Sequence, residues 1–128
     1  MLSDRKIVAL VPNTDGDKAR AFYVDKLGLK FLSDDGFAIV IEANENKVRL
    51  TKMKEVKPLP FTVLGWETAD IAADIRALQA NGVSFERFPD HMKQDDLGVW
   101  TAPDGTKVAW FKDPDGNILS LSQHKSSN

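Results

Sequence analysis

Few side chains in this sequence are equipped for chemistry, and they are widely spaced. There is no cysteine, and the histidines are His91 and His124. Thiolate nucleophiles, disulfides and zinc-thiolate sites therefore have no residue to use, and acid-base or metal proposals have little to draw on. His91 lies in the charged run Asp90-His91-Met92-Lys93-Gln94-Asp95-Asp96. That run reads either as a lid carrying a general acid or base, which makes His91 the candidate catalytic residue, or as a solvated loop. His124, near the C-terminus, reads as solvated. Arg49 sits in Lys47 to Met53 (KVRLTKM), where Val48 and Leu50 alternate with Arg49 and Thr51. A guanidinium on the polar side of such a strand can hold a carboxylate or phosphate through paired N–H donors, or it can snorkel to water or pair with a neighbouring acid. Trp66, Trp100 and Trp110 can stack on a planar guest or anchor a core or interface; Trp66 is expected to face a helix, Trp100 and Trp110 to lie on two arms of a hairpin.

These groups must be positioned by short strands and two helices. Lys6 to Pro12 (KIVALVP) reads as a strand ending in Asn13-Thr14-Asp15-Gly16, and Asp15 or Asp17 can cap a helix over Asp17 to Leu27 that stops at Gly28. Lys30 to Ser33, Phe37 to Glu42 and Lys47 to Met53 read as a three-strand meander, and Lys54 to Pro60 as a linker. The order then begins again. Phe61 to Glu67 reads as a strand and Ala69 to Asn81 as a helix ending at Gly82. Four extended pieces follow: Val83 to Phe88, Gly98 to Ala102, Lys107 to Lys112 and Ile118 to Gln123. The second half is longer than the first by the stretch from Pro89 to about Asp104, so a duplication with one insertion, an extra hairpin arm, accounts for the chain.

The length of 128 residues suits one domain, and 42% hydrophobic with 28% charged residues is the composition of a folded protein. The net charge of −2 gives no general pull toward nucleic acid or anionic lipid, and no apolar run approaches a membrane span. No nucleic-acid or membrane partner is expected, and the cytoplasm is the expected location.

Two segments carry a resemblance. Lys18 to Leu29 (KARAFYVDKLGL) and Ala109 to Gln123 (AWFKDPDGNILSLSQ) resemble the first-helix signature and the closing turn and strand of the vicinal oxygen chelate superfamily, which contains glyoxalase I, extradiol dioxygenases, fosfomycin-resistance and bleomycin-binding proteins. The resemblance implies an α+β fold of two tandem βαβββ modules whose curved sheets surround a shared cleft: module 1 over about 5–53, a linker at 54–60 and module 2 over 61–123. It also implies a homodimer, and four metal-ligand positions facing the cleft. Those positions fall on Val8, Arg49, Val63 and Ser120. Two valines, a guanidinium and one hydroxyl do not make a divalent-ion site. No metal and no cofactor are therefore expected.

Alternation along the strands places Val8, Leu10, Arg49, Thr51, Val63, Gly65, Ser120 and Ser122 on the cleft side, a mostly apolar lining with Gly65 leaving room in the floor and with Trp100 and Trp110 as further candidates. The leading expectation is metal-independent binding of a small anionic or aromatic molecule. One alternative is glyoxalase- or dioxygenase-like lyase, isomerase or oxygenase chemistry through a relocated metal site at His91, Asp95 or Asp96. Others are an antibiotic-binding resistance protein, which Arg49 disfavours for a cationic guest, and a dimeric interaction module whose cleft is filled by side chains.

Overall fold

Each half of the chain begins with a strand that runs into a capped helix and returns as an antiparallel meander. This is the architecture of a computed structural model in which residues 1–124 are described. β1 (Val8–Asn13) leads to Asp15, whose carboxylate accepts the amides of Asp17 and Lys18 and so starts α1 (Gly16–Arg20). The helix continues as a wider π-type turn over Ala21–Lys26, closed by the Leu27 amide on the Phe22 carbonyl. That extra width lets the successive residues Phe22 and Tyr23 both turn inward, packed edge to face at 5.3 Å. Gly28 then adopts the left-handed conformation that ends the helix.

β2 (Lys30–Asp34), β3 (Ala38–Ala43) and β4 (Asn46–Lys52) complete a four-stranded sheet in the order β1-β4-β3-β2, with β1 and β4 parallel. Asn44 and Glu45, both at positive φ, form the two-residue hairpin between β3 and β4. Ala19, Phe22 and Tyr23 are buried together with Val11, Ile39, Ile41, Val48 and Leu50, the core of this half.

The second half repeats the plan. β5 (Thr62–Glu67) precedes α2 (Ile71–Ala80), capped by Asp70 and tied to the sheet by the Ile71 amide on Gln123 Oε1 at 2.8 Å. β6 (Trp100–Thr101), β7 (Lys107–Lys112) and β8 (Ile118–Gln123) finish a sheet ordered β5-β8-β7-β6. Ile71, Ile75, Ala109, Phe111, Leu119 and Leu121 are its core. The turn between β7 and β8 is knotted by Asp113, whose carboxylate accepts the amides of Asp115 and Asn117 and the Asn117 side chain. At Gly116, φ is +86 and a Cβ would come within 2.9 Å of the Pro58 ring, so only glycine fits there.

Chain contacts divide the molecule into two units, the first Met1–Lys57 and the second beginning at Pro58. The tandem α+β organisation is as the sequence implies, with one difference. Val83 to Phe88 does not form a strand. Its single bridge, Phe85 to Phe111, and the Glu86 amide on the Trp110 carbonyl cover one end of the outer edge of β7, while β6 covers the other. The insertion between them splits what would be one edge strand, because after Glu86 the backbone turns outward to satisfy its bonds within the inserted segment.

Candidate functional site

In the first module, pairing sets Leu10 beside Arg49 and Pro12 beside Thr51, with Val40 and Ala38 next to them across β3. Arg49 and Thr51 are half-buried, whereas Leu10 is 67% exposed and Val8 45% exposed. The Arg49 guanidinium has a carboxylate already within reach, Asp35 Oδ2 at 4.0 Å. Asp35 is held below the usual carboxylate range by the amide of Ala38 and then that of Phe37, with Arg49 adding to the effect. A depressed folded-state pKa stabilises above the ordinary carboxylate range, and the contribution fades as pH falls through the lowered value.

In the second module, the register aligns Gly65, Ser120 and Trp110 in one row, and Glu67, Ser122, Val108 and Trp100 in the next. All face away from the buried Leu119, Leu121, Ala109 and Phe111. Two sequence expectations change in detail. Room over Gly65 is taken by Ser120, whose Oγ would lie 2.9 Å from an added Cβ. At Val63 the β5–β8 register shifts, so Thr62 pairs with Ile118 and lies on the same side as Gly65, its Cγ2 3.8 Å from that added Cβ. The bulge reverses the local alternation that sequence reading applied to Val63.

Beside this row is an open depression of about 410 Å³, within the size range of small-molecule sites. Phe61, Phe88, Met92 and Trp110 supply its apolar walls, and Thr62 and His91 its polar groups. Phe88 packs edge to face on Trp110 at 5.7 Å, and the Trp100 ring lies 6.4 Å from that of Trp110. The structure thus brings together His91, Trp110 and, adjoining them, Trp100. Trp66 instead stacks on the buried Phe111 at 6.1 Å, the structural place expected of it. Phe61, Phe88 and Met92 escaped sequence reading because Phe61 follows a proline-rich linker, Phe88 ends a run read as a strand that does not form, and Met92 belongs to the insertion, where no periodicity reports direction.

The inserted segment that carries His91 and Met92, with Phe88 just before it, is held by the side chains of Gln94 and Arg87. Gln94 Oε1 accepts the Phe88 amide at 2.7 Å, and Gln94 Nε2 donates to the carbonyls of Gly98 at 2.8 Å and Glu86 at 3.1 Å. The Arg87 guanidinium clamps the carbonyls of Asp95 and Asp96. Replacing Gln94 by glutamate turns an oxygen toward two carbonyls, and buried mispairing of this kind costs about 1–3 kcal/mol. The expected result for Gln94→Glu is faster amide hydrogen exchange at Phe88, Met92 and Gly98, with the β7–β8 amides unchanged.

Two other groups of polar side chains lie outside the depression. Ser122 Oγ and Glu67 Oε1 lie 3.1 and 3.7 Å from the same atom, His124 Nε2, whereas a charge-relay triad uses opposite ring nitrogens. Asp95 Oδ1 accepts the amides of Leu97 and Val99.

Residues 7–121 match the sequence profile of the Glyoxalase/Bleomycin resistance protein/Dioxygenase superfamily. The chain belongs to this superfamily. Among solved structures, a superfamily member from Sphaerobacter thermophilus is 24% identical, covering 97% of this chain and 100% of its own, with a TM-score of 0.74. TnmS3, an antibiotic binding protein from Streptomyces sp. CB03234, is 25% identical with coverages of 98% and 99% and a TM-score of 0.71. A lactoylglutathione lyase from Agrobacterium tumefaciens is 17% identical with coverages of 94% and 93% and a TM-score of 0.70. No curated protein sequence gives a significant match.

The divalent ion that the superfamily implies does not fit the residues present. At the four positions that the resemblance assigns to ligands stand Val8, Arg49, Val63 and Ser120, and among the described residues no three His, Cys, Asp or Glu side chains converge as an ion would require.

Proposed function

We propose that the chain binds a small planar aromatic molecule, without a metal, against Trp110 in the second module. The observation that carries this reading is the depression itself: aromatic and thioether walls from Phe61, Phe88, Met92 and Trp110 with a hydroxyl and an imidazole at Thr62 and His91. Apolar walls supply affinity through area and ring stacking, and a few convergent polar groups fix orientation. An aromatic guest suits this lining better than an aliphatic anion, because no Lys or Arg is among the lining residues. The description of TnmS3 as an antibiotic binding protein agrees with a binding role and supports including antibiotics among the guests to try. His91 acts here as a hydrogen-bonding group on the guest rather than as a general base.

The test is a tryptophan-fluorescence titration with 2-naphthol, 2-naphthoate and, as an aliphatic contrast, glycerol phosphate, with and without EDTA. Saturable quenching by the two naphthalenes that is indifferent to EDTA is the expected result. Binding that vanishes with EDTA and returns with a divalent ion would refute metal independence; no response to either naphthalene would refute the site.

A second reading concerns assembly. Ile7 is 82% exposed, Val8 45% and Leu10 67%, apolar surface at the start of β1 that a second copy of the chain would cover in a homodimer. Light scattering is expected to give twice the monomer mass at micromolar concentration, and Leu10→Asp to shift the population to monomer. A wild-type monomer at all concentrations would rule the dimer out.

A further inference from the structure

A separate cavity of about 320 Å³ lies in the first module, between the β1–α1 connection and the β2–β3 turn. Its lining contains a buried amide that the fold leaves unanswered. Asn13 ends β1 on the helix-facing side, is 2% exposed, and its Oδ1 has no hydrogen-bond partner. A buried acceptor without a donor is costly, and folded proteins rarely keep one unless water, an ion or a ligand completes it. Val11, two residues earlier on the same side, is core, so an apolar residue would be the ordinary choice at position 13.

The rest of the lining specifies what kind of donor would fit. Asp15, Asp17 and Asp34 contribute carboxylates against one ammonium, that of Lys52, so the wall is net negative. The acids do not converge on a point: no three ligating side chains among the described residues could hold one metal ion. Their charge is spread around an opening larger than a bare ion. Phe37, 79% exposed at the rim, and Ile39 and Leu50 give the same cavity an apolar part. An ammonium combines three N–H donors with a positive charge, and an alkyl chain attached to it would cover the phenyl and aliphatic surface.

We propose that this cavity binds the head of a small primary alkylammonium compound, with Asn13 Oδ1 accepting one of its N–H donors and the Asp15, Asp17 and Asp34 carboxylates surrounding its charge. The site is independent of the aromatic depression and takes a ligand of opposite character. Lys52 does not fill the role itself, since Asn13 Oδ1 is unpaired with Lys52 beside the same cavity.

The experiment is an NMR titration of the full chain with n-butylammonium chloride, run beside tetramethylammonium chloride and calcium chloride at matched ionic strength. The expected result is saturable shifts of the Asn13 side-chain amide and the Gly36 and Phe37 backbone amides with butylammonium. Tetramethylammonium, which has no N–H to donate, should bind at least tenfold more weakly. Asn13→Leu keeps the branched shape and removes the orphaned acceptor, so it should lose at least tenfold in affinity while its melting temperature stays level or rises. Should that variant fail to fold, the exposed double change Asp17→Asn with Asp34→Asn decides the matter by weakening butylammonium binding and flattening its salt dependence. An equal response to tetramethylammonium or calcium, no saturation with butylammonium, or undiminished binding by a folded Asn13→Leu variant would overturn the proposal.

Discussion

Replacing Phe111 by alanine is expected to destabilise the second module by about 3–5 kcal/mol, the usual cost of emptying a fully buried aromatic site. Phe111 has no exposed surface, stacks on Trp66 at 6.1 Å and packs on Phe85 at 5.2 Å. Its backbone also makes the bridge by which the split edge rejoins β7. The ring therefore fastens the single bridge at Phe85, a piece of chain with few contacts of its own, to Trp66 of β5 and to β7. Losses of that size are a large part of the whole stability of a small domain. Urea unfolding followed by tryptophan fluorescence measures the change, with Phe111→Leu as the milder comparison because it leaves a smaller void. A loss below about 1 kcal/mol for Phe111→Ala would mean that the split edge is held by something other than this cluster.

Where the sequence was legible, local chemistry and periodicity agreed. Asp15 caps the first helix, Gly28 and Gly82 end the two helices, and β7 and β8 run over the same residues that alternation picks out, Lys107 to Lys112 and Ile118 to Gln123. Reading failed where the fold departs from strict alternation. A one-residue bulge at Val63 moves Thr62 onto the open side, a change of face that hydrophobicity cannot report when the flanking residues are all half-buried. The run Val83 to Phe88 has strand-like composition, yet beyond the Glu86 amide, which still bonds β7, the Glu86 carbonyl and the Phe88 amide pair with the Gln94 side chain instead of with a neighbouring strand.

The candidate site shows the same division. Trp110 and His91 could be named from residue type alone, and both line the depression. Asn13 could not, because an asparagine in Asn13-Thr14-Asp15-Gly16 reads as a turn former, and only its burial without a partner sets it apart. Arg49 carried the sharpest expectation, but Asp35 arises from a neighbouring turn whose position no spacing rule supplies.

Trp110→Ala is expected to abolish most naphthalene binding, by tenfold or more, while costing less stability than Phe111→Ala. The two residues are adjacent on β7 and point to opposite sides: Phe111 is fully buried, whereas Trp110 is only partly buried and lines the depression. Stacking on an aromatic face is worth about 1–3 kcal/mol by the alanine-substitution measure known from nucleic-acid bases, which alone gives roughly a five- to hundredfold change. Phe88 would lose its edge-to-face partner as well, so the remaining wall would be less ordered. Trp110→Phe keeps a ring at the position and should retain an intermediate affinity. Fluorescence of the variant reports the remaining Trp66 and Trp100, so calorimetry is the better measurement of affinity, paired with a melting curve for each protein. Affinity and stability should separate along the strand, with Phe111→Leu unfolding earlier but binding at its native strength below its midpoint. If Trp110→Ala bound 2-naphthol as tightly as the wild type, the guest would have to lie elsewhere, and the aromatic walls of the depression would be structural alone.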